Sequence, residues 1–224
     1  SLALDTIHLD AKRNEEQRSF VLQTSLADVG VYGAYNFSDL FNNIKTLSKE
    51  ISLNIKNDKS AIASYYRTKR YRPKSYQANI EINLRNVKPI ATLLGIDLDI
   101  SQNTAVKGSF TSGYTTILQA YSGFDSLSYN GNLFLDTEVD FTASKIADST
   151  NVLAMASVSS ARQEIGPTLK TNNLLVEAIW NQNLIDFGLD VDQEKQTNFV
   201  RLKGAVEFLK DSTVLTMAPS ILRL

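Results

Sequence analysis

Cysteine is absent from the 224-residue chain, and histidine occurs once, at His8. Without cysteine the protein has no thiol catalysis, no disulfide bridge and no metal site with cysteine ligands. A single histidine excludes zinc sites built on two or three histidines, and it leaves His8 as the one candidate base of a Ser-His-Asp triad. Because no GxSxG segment accompanies it, we interpret His8 as a structural residue.

Phosphate-binding glycine loops and long apolar runs are also missing. The sequence contains neither GxGxxG nor GxxxxGKS/T, so it predicts no nucleotide cofactor, and we expect no metal cofactor either. It has no run of about eighteen apolar residues, the length that crosses a bilayer as a helix. The 23 basic and 24 acidic residues give a net charge of −1, which argues against a nucleic-acid partner.

Alternation of apolar and polar residues is the dominant positive signal and recurs along the whole chain. It is clearest in NIEINL, LFLDTEVDF, IDFGLDVD and LKGAVEF. A period of two predicts strands with one dry and one wet face, which is typical of antiparallel sheets. Together with the intervening turn segments it predicts roughly ten to twelve strands. The apolar positions are Ile80, Ile82, Leu84, Leu133, Leu135, Val139, Phe141, Ile185, Phe187, Leu189, Val191, Leu202, Val206 and Phe208.

Two segments have helical periodicity instead. Residues 38–51 place apolar side chains at helical spacing after Ser38, a possible N-cap, and residues 86–95 contain Pro89 in a first turn and end at Gly95. We therefore predict a mainly β fold, a long antiparallel curled sheet with one or two short helices. We expect residues 1–224 to form a single elongated groove segment of a longer chain.

The recurring apolar face has two explanations. Either two sheets pack face to face as a sandwich, or one sheet curls and holds an apolar ligand in its interior. The alternating pattern does not choose between them. A further ambiguity is a phase slip between Leu26 and Val29, which we interpret as a β-bulge or a bend.

A basic cluster in YYRTKRYRPK interleaves cations with tyrosines. One interpretation is a solvated hairpin tip, and the other is a surface that contacts anionic lipid headgroups. Because the cluster is local and the rest of the chain is neutral or acidic, lipid phosphate fits better than nucleic acid. The predicted headgroup contacts are Arg67, Lys69, Arg70, Arg72 and Lys74.

Two runs of carboxylates provide the one candidate for catalysis. Asp136, Glu138 and Asp140 share one strand face, and Asp190, Asp192 and Glu194 share another. Side chains two apart on a strand are about 6.6 Å apart, a spacing that a pair of glycosidase carboxylates tolerates. The wet face of a half-buried sheet explains the same pattern, and charges there also oppose edge-to-edge pairing. We therefore do not predict an enzyme.

Three segments resemble a known family: VKPIATLLGIDLDISQNTAVKGSF, YNGNLFLDTEVDF and RLKGAVEFLKDSTVLTMAPSILRL. They are similar to the large periplasmic domain of TamB-like translocation and assembly proteins, especially the Bacteroidetes-type sequences. These AsmA-like proteins are bridge-type lipid transfer proteins with a β-sheet curled into a taco-shaped groove. The family has no catalytic residues that could be carried over to this chain.

The resemblance implies a non-enzymatic, lipid-conduit segment in the periplasm of a Gram-negative bacterium. An inner-membrane anchor would lie in a segment not present here. The apolar positions would line a groove for phospholipid acyl chains moving to the outer membrane. A barrel assembly protein of the outer membrane would be a partner through the rest of the chain. The alternative is a structural or adhesive β-sandwich repeat domain of a cell-surface protein.

Overall fold

A computed structural model describes residues 6–69, 74–194 and 197–223, most of which lie in one antiparallel sheet. The strands are β1 (Ile7–Arg13), β2 (Arg18–Thr24), β3 (Ala27–Gly33), β4 (Tyr76–Leu84), β5 (Leu98–Ile100), β6 (Thr104–Ser112), β7 (Thr115–Tyr129), β8 (Asn132–Ile146), β9 (Val152–Ile165), β10 (Leu169–Asn181), β11 (Leu184–Gln193), β12 (Phe199–Phe208), β13 (Thr213–Met217) and β14 (Ile221–Arg223). The helices are α1 (Phe37–Lys56), α2 (Lys59–Thr68) and α3 (Lys88–Leu93). The predicted mainly β fold with one long antiparallel sheet is confirmed.

The strands follow one another through the sheet almost in chain order. The path runs β1-β2-β3-β4-β6-β7-β8-β9-β10-β11-β12-β13, and β5 and β14 pair with β7 and β12. Only two insertions interrupt this meander in the part of the chain that the structure describes: α1 with α2 after β3, and α3 with β5 after β4. Short connections between neighbours explain the simple order. The sheet is open, with β1 at one edge and β13 at the other.

Cross-strand register places the apolar positions of neighbouring strands opposite one another. Val139 on β8 pairs with Val158 on β9, and Leu189 on β11 lies between Val176 on β10 and Leu202 on β12. Residues directly opposite each other in an antiparallel ladder lie on the same face. The sheet therefore has one mainly apolar face, which carries the predicted apolar positions other than Leu133 and Leu135, and one mainly polar face. Asp136, with a φ of +48°, interrupts the alternation of β8, so that Leu135 lies opposite the exposed Arg162 on the polar side and Phe134 lies opposite the buried Gln163.

The phase slip predicted as a bulge is a hairpin turn. β2 ends at Thr24 and β3 begins at Ala27, so two residues of turn reverse the chain. The Thr24 hydroxyl holds this turn: Oγ1 accepts from the backbone N–H of Ala27 at 3.0 Å and donates to its carbonyl oxygen at 2.8 Å. The prediction of a bulge or bend within one strand is wrong, because a two-residue turn also shifts the phase of the alternation.

The helices differ from the prediction in number and length. α1 begins after Asn36, whose side chain accepts from the Ser38 N–H at 2.9 Å, so Asn36 and not Ser38 is the N-cap. It has 20 residues and extends past the predicted end to Lys56. α2 occupies the segment interpreted as a hairpin tip and is capped by Asp58. α3 has Pro89 in its first turn, and Gly95 follows it with a φ of +68°, as predicted.

α1 packs on one end of the apolar face. Leu40 is buried with Tyr35, Tyr76, Ala78 and Phe110 in a small core where β4 begins and β6 ends. This is the one cluster of buried apolar residues in the described part of the chain that includes bulky aromatic rings. The remainder of the apolar face extends beyond it toward the other end of the strands.

The sheet curls around α1. The ring of Phe37 lies 5.6 Å from that of Phe20 on β2, while Nδ2 of Asn57, just past the helix, donates to the carbonyl oxygen of Phe208 on β12 at 2.9 Å. Nine strand-to-strand steps separate β2 from β12, about 43 Å along a flat sheet. A 20-residue helix is about 30 Å long. The helix that joins β2 to β12 is therefore shorter than the path between them along the sheet. The sheet must curve around α1, so its apolar face is concave.

None of the helices in the described ranges is long and apolar enough to cross a membrane.

Candidate apolar groove

The concave face forms an open groove. The predicted apolar positions from Ile80 on β4 to Phe208 on β12 lie on this face and are half-buried, except Leu133 and Leu135, which the register places on the polar side opposite Glu164 and Arg162. Beyond the ladders, the main contacts between elements are α3 with β5 and α1 with α2 and β9. The described residues form one sheet, so the architecture is not a sandwich of two sheets. Bulky apolar side chains consequently remain accessible along the groove.

α1 carries a second apolar stripe, which its helical periodicity in the sequence does not separate from the first. Its sheet-facing residues, such as Leu40 and Leu47, pack against the core. Phe41 is 67% exposed, and Ile44 and Ile55 are also exposed. At 100° per residue these three lie about a quarter turn around the helix from the buried row. We call Phe41, Ile44, Ile51 and Ile55 the helix stripe.

The helix stripe faces the uncovered part of the concave face. Phe37 lies on the same side of α1 as the stripe, and its ring contacts Phe20 on that face. The other side of α1 is occupied by α2, where the ammonium of Lys49 lies 4.9 Å from the centre of the Tyr65 ring. The groove therefore has two apolar walls, the curled sheet and the helix stripe.

Hydrogen bonds from the buried side of α1 attach the helix to the sheet. Nδ2 of Asn43 donates to the hydroxyl of Tyr76 at 2.8 Å and to that of Ser112 at 2.7 Å. Further along, Nδ2 of Asn54 donates to the carbonyl oxygen of Thr150 at 3.0 Å. Since each buried donor needs its partner, these bonds fix the position of the helix along the strand ends.

A buried charge cluster lies in the middle of this contact. The Glu50 carboxylate is 2.6 Å from Nζ of Lys69 and 3.4 Å from Nζ of Lys145, and it accepts from the Tyr65 hydroxyl at 3.0 Å. Lys145 also donates to the carbonyl oxygens of Ile146 and Ser149. Burial lowers the pKa of Lys145 despite the carboxylate beside it. Burial, followed by the charge of Glu50, raises the pKa of Tyr65 to about 12.

The predicted basic cluster is divided by the fold. Lys69 is turned inward to Glu50 and donates to the carbonyl oxygen of Ala147 at 2.9 Å. Arg67 is exposed on the last turn of α2, and Lys74 is exposed and 3.1 Å from Asp39. Arg70 and Arg72 lie outside the described residues. Headgroup contact stays a prediction for the exposed members, whereas Lys69 stabilises the attachment of α1.

The carboxylates lie away from the groove. Glu138 and Asp140 are exposed on the polar face, and Asp136, which has a φ of +48°, is 3.7 Å from Arg162. Asp192 accepts from Asn173 at 3.0 Å and from Arg201 at 2.7 Å, and these bonds lower its pKa. Asp190 lies 3.6 Å from Arg201, and Glu194 follows the end of β11. This arrangement is that of a solvated, charge-paired sheet surface.

His8 and one polar cleft are the remaining polar candidates for a functional site. His8 is exposed on β1 opposite Gln23. Among the described residues no group of three or more His, Asp and Glu side chains could hold a metal ion. A polar cleft of about 510 Å³ lies between α2 and the turns at the strand ends, but Asn57 and Asn183 on its wall donate to the backbone of Phe208.

Comparison of the chain with protein-family models, with curated proteins and with solved structures gives no match.

Proposed function

We propose that the groove binds the acyl chains of phospholipids and that the protein is a non-enzymatic lipid-carrying segment. The observation that carries this proposal is the concave, mainly apolar face, whose apolar side chains are only partly buried and which faces the apolar helix stripe. Monomeric proteins rarely expose contiguous apolar surface on this scale without a ligand or partner. A flexible hydrocarbon chain fits such a surface because it needs no directional contacts.

Energetics favour a chain-like ligand. Each methylene moved from water into the groove contributes about 0.8 kcal/mol, so ten methylenes contribute about 8 kcal/mol. That gain is comparable to the 4–15 kcal/mol, roughly, that association costs in lost freedom of motion. Small apolar molecules would gain too little, whereas long acyl chains gain enough for stable binding.

Headgroups would remain in water at the mouth of the groove. The concave face has apolar residues at successive inward positions of β11, Ile185, Phe187 and Leu189, without a polar group between them. We therefore expect selectivity for chain length and little selectivity for headgroup. The exposed cations Arg67 and Lys74 are the candidates for a weak preference for anionic lipids.

The wider setting is part of the same proposal. The TamB-like resemblance motivates a periplasmic location, an inner-membrane anchor, transport of phospholipid to the outer membrane and a barrel assembly partner. In that setting the groove described here would be one stretch of a longer conduit.

Trp180 provides a test, because it is the one tryptophan in the chain and lies on the concave face between Ala154 and Ile185. Phospholipids with brominated acyl chains should quench its fluorescence, and unbrominated lipids should not. Val139→Asp, in the groove, should reduce the quenching, and Thr142→Asp, at a neighbouring outward position of β8, should leave it unchanged.

Lipids that co-purify with the protein provide a second readout by native mass spectrometry. We expect phospholipid on the wild-type protein and its loss from Phe141→Asp, a substitution on the concave face opposite Ala120 and Ala156. A lipid-free protein whose tryptophan is not quenched would overturn the proposal and favour a purely structural role.

A further inference from the structure

A second apolar surface lies outside the groove, on and just after α3. Leu93 and Leu94 are 68% and 64% exposed, and Ile90 and Ile96 are also exposed. We call these four residues the apolar tip. Tyr129, at the end of β7, is exposed as well and lies opposite Leu98 on β5, the strand that follows the tip. Four large aliphatic side chains within seven positions are an unusual concentration for a solvent-exposed loop.

The apolar tip is held in place by the fold. Ala91 is the buried residue of α3, and its carbonyl oxygen accepts from the Ile96 N–H at 2.9 Å. The Leu94 N–H donates to the carbonyl oxygen of Ile90 at 3.0 Å. α3 also packs against β5, which is paired with β7. The exposed leucines therefore project from an ordered turn of backbone.

The tip and α1 are at opposite ends of the strands. α1 contacts Tyr76 at the start of β4, whereas α3 follows Leu84 at the end of that strand. Leu84 belongs to the concave face, opposite Ala27 on β3. The tip is consequently at the end of the sheet where α1 does not cover the groove.

Size and charge decide which partner fits. Four side chains cannot supply the roughly 800 Å² per partner of a standard protein interface. A few apolar side chains are enough to enter the boundary between lipid headgroups and acyl chains, where tyrosine is also favoured. The cations next to the tip are near carboxylates, Arg85 at 2.8 Å from Asp28 and Lys88 at 3.9 Å from Asp99. Attraction to anionic lipid is therefore not the main force.

We propose that the apolar tip inserts into the surface of a lipid bilayer and docks this end of the sheet on the membrane. This goes beyond the groove, because a protein can bind a bilayer without extracting lipid and can hold lipid without a docking tip. Insertion places the groove end at Leu84 next to the acyl chains. Binding should occur on vesicles of phosphatidylcholine alone and should increase only slightly when phosphatidylglycerol is added.

Vesicle flotation tests the proposal. The wild-type protein should float with phosphatidylcholine vesicles, and Leu93→Gln with Leu94→Gln should lower its affinity on the order of tenfold per leucine. Leu153→Gln with Met155→Gln is the matched control, since both residues are exposed aliphatic positions elsewhere on the sheet. The control should float like the wild type.

The absence of cysteine allows a site-specific test. An environment-sensitive dye on Leu94→Cys should shift to the blue when vesicles are added, and the same dye on Glu177→Cys, exposed on the polar face, should not. An unchanged dye at position 94, or equal flotation of the tip variant and the wild type, would overturn the proposal. So would self-association that the tip variant abolishes, since a second copy would then be the partner. Quenching of Trp180 by bound lipid reports on the groove separately.

Discussion

Glu50 on α1 and Lys145 on β8 form an ion pair in which the side chains are 2% and 3% exposed, with Oε2 and Nζ 3.4 Å apart. The pair attaches the helix to the concave face that it partly covers. A buried pair of charges adds little stability compared with apolar packing, but the loss of one partner is severe. The position of α1, and with it the second wall of the groove, therefore depends on this contact.

Removal of the Glu50 charge should destabilise the protein. Glu50→Gln leaves the buried ammonium of Lys145 without a counter-charge, and we expect a loss of about 3–5 kcal/mol in the free energy of unfolding. Urea denaturation measures it. Asp140→Asn, an exposed carboxylate on the polar face, should change the value by about 0.5 kcal/mol or less. Equal effects of the two substitutions would contradict a buried role for Glu50.

Tyr65 should make stability fall at high pH. Its folded-state pKa is raised from 10.0 to about 12, so the folded protein keeps a proton that the unfolded chain releases. The resulting stabilisation is complete below pH 10 and is lost as the pH rises toward 12. The stability difference between the wild type and Tyr65→Phe should shrink over that window, while effects common to both proteins, such as that of Lys145, cancel. A pH-independent difference would contradict the assignment.

Two phenylalanines should distinguish the closed end of the apolar face from its open part. Phe110 is 1% exposed in the core under α1, and Phe110→Ala should cost about 3–5 kcal/mol. Phe187 is half-buried in the groove, and we expect Phe187→Ala to cost about 1 kcal/mol, because less of its area leaves water on folding. Similar costs in thermal or urea unfolding would indicate that the groove is covered.

The helix stripe should matter for lipid binding and not for folding. Phe41 is exposed, so Phe41→Asp should change the free energy of unfolding by about 0.5 kcal/mol or less. The same substitution should reduce quenching of Trp180 by brominated lipid, because it places a carboxylate in the apolar wall. Asn42→Asp, exposed on the same helix but outside the stripe, is the control. Full quenching in Phe41→Asp would show that α1 does not contact the bound lipid.

Local periodicity determined the faces of the sheet. Val139, Leu189 and Leu202 could be placed on one face from the sequence, because side chains alternate along every strand whatever its partners are. α2 was missed because its tyrosines and basic residues show no clear apolar period, although Asp58 before it is a recognisable N-cap signal. The turn after Thr24 was missed because a bulge and a short turn shift the phase in the same way.

Tertiary structure alone decided which part of that face is covered. Lys69 reads as one more exposed cation in its sequence neighbourhood, yet the path of α2 turns it toward Glu50. The sequence indicates only that Lys145 is a polar residue at the end of a strand, yet α1 packs over it and places Glu50 beside its ammonium group. The alternating pattern predicts only that a residue such as Phe187 lies on the apolar face of its strand. Whether a second sheet, a helix or an open groove lies opposite depends on contacts between segments far apart in the chain, and these leave no periodic trace in the sequence.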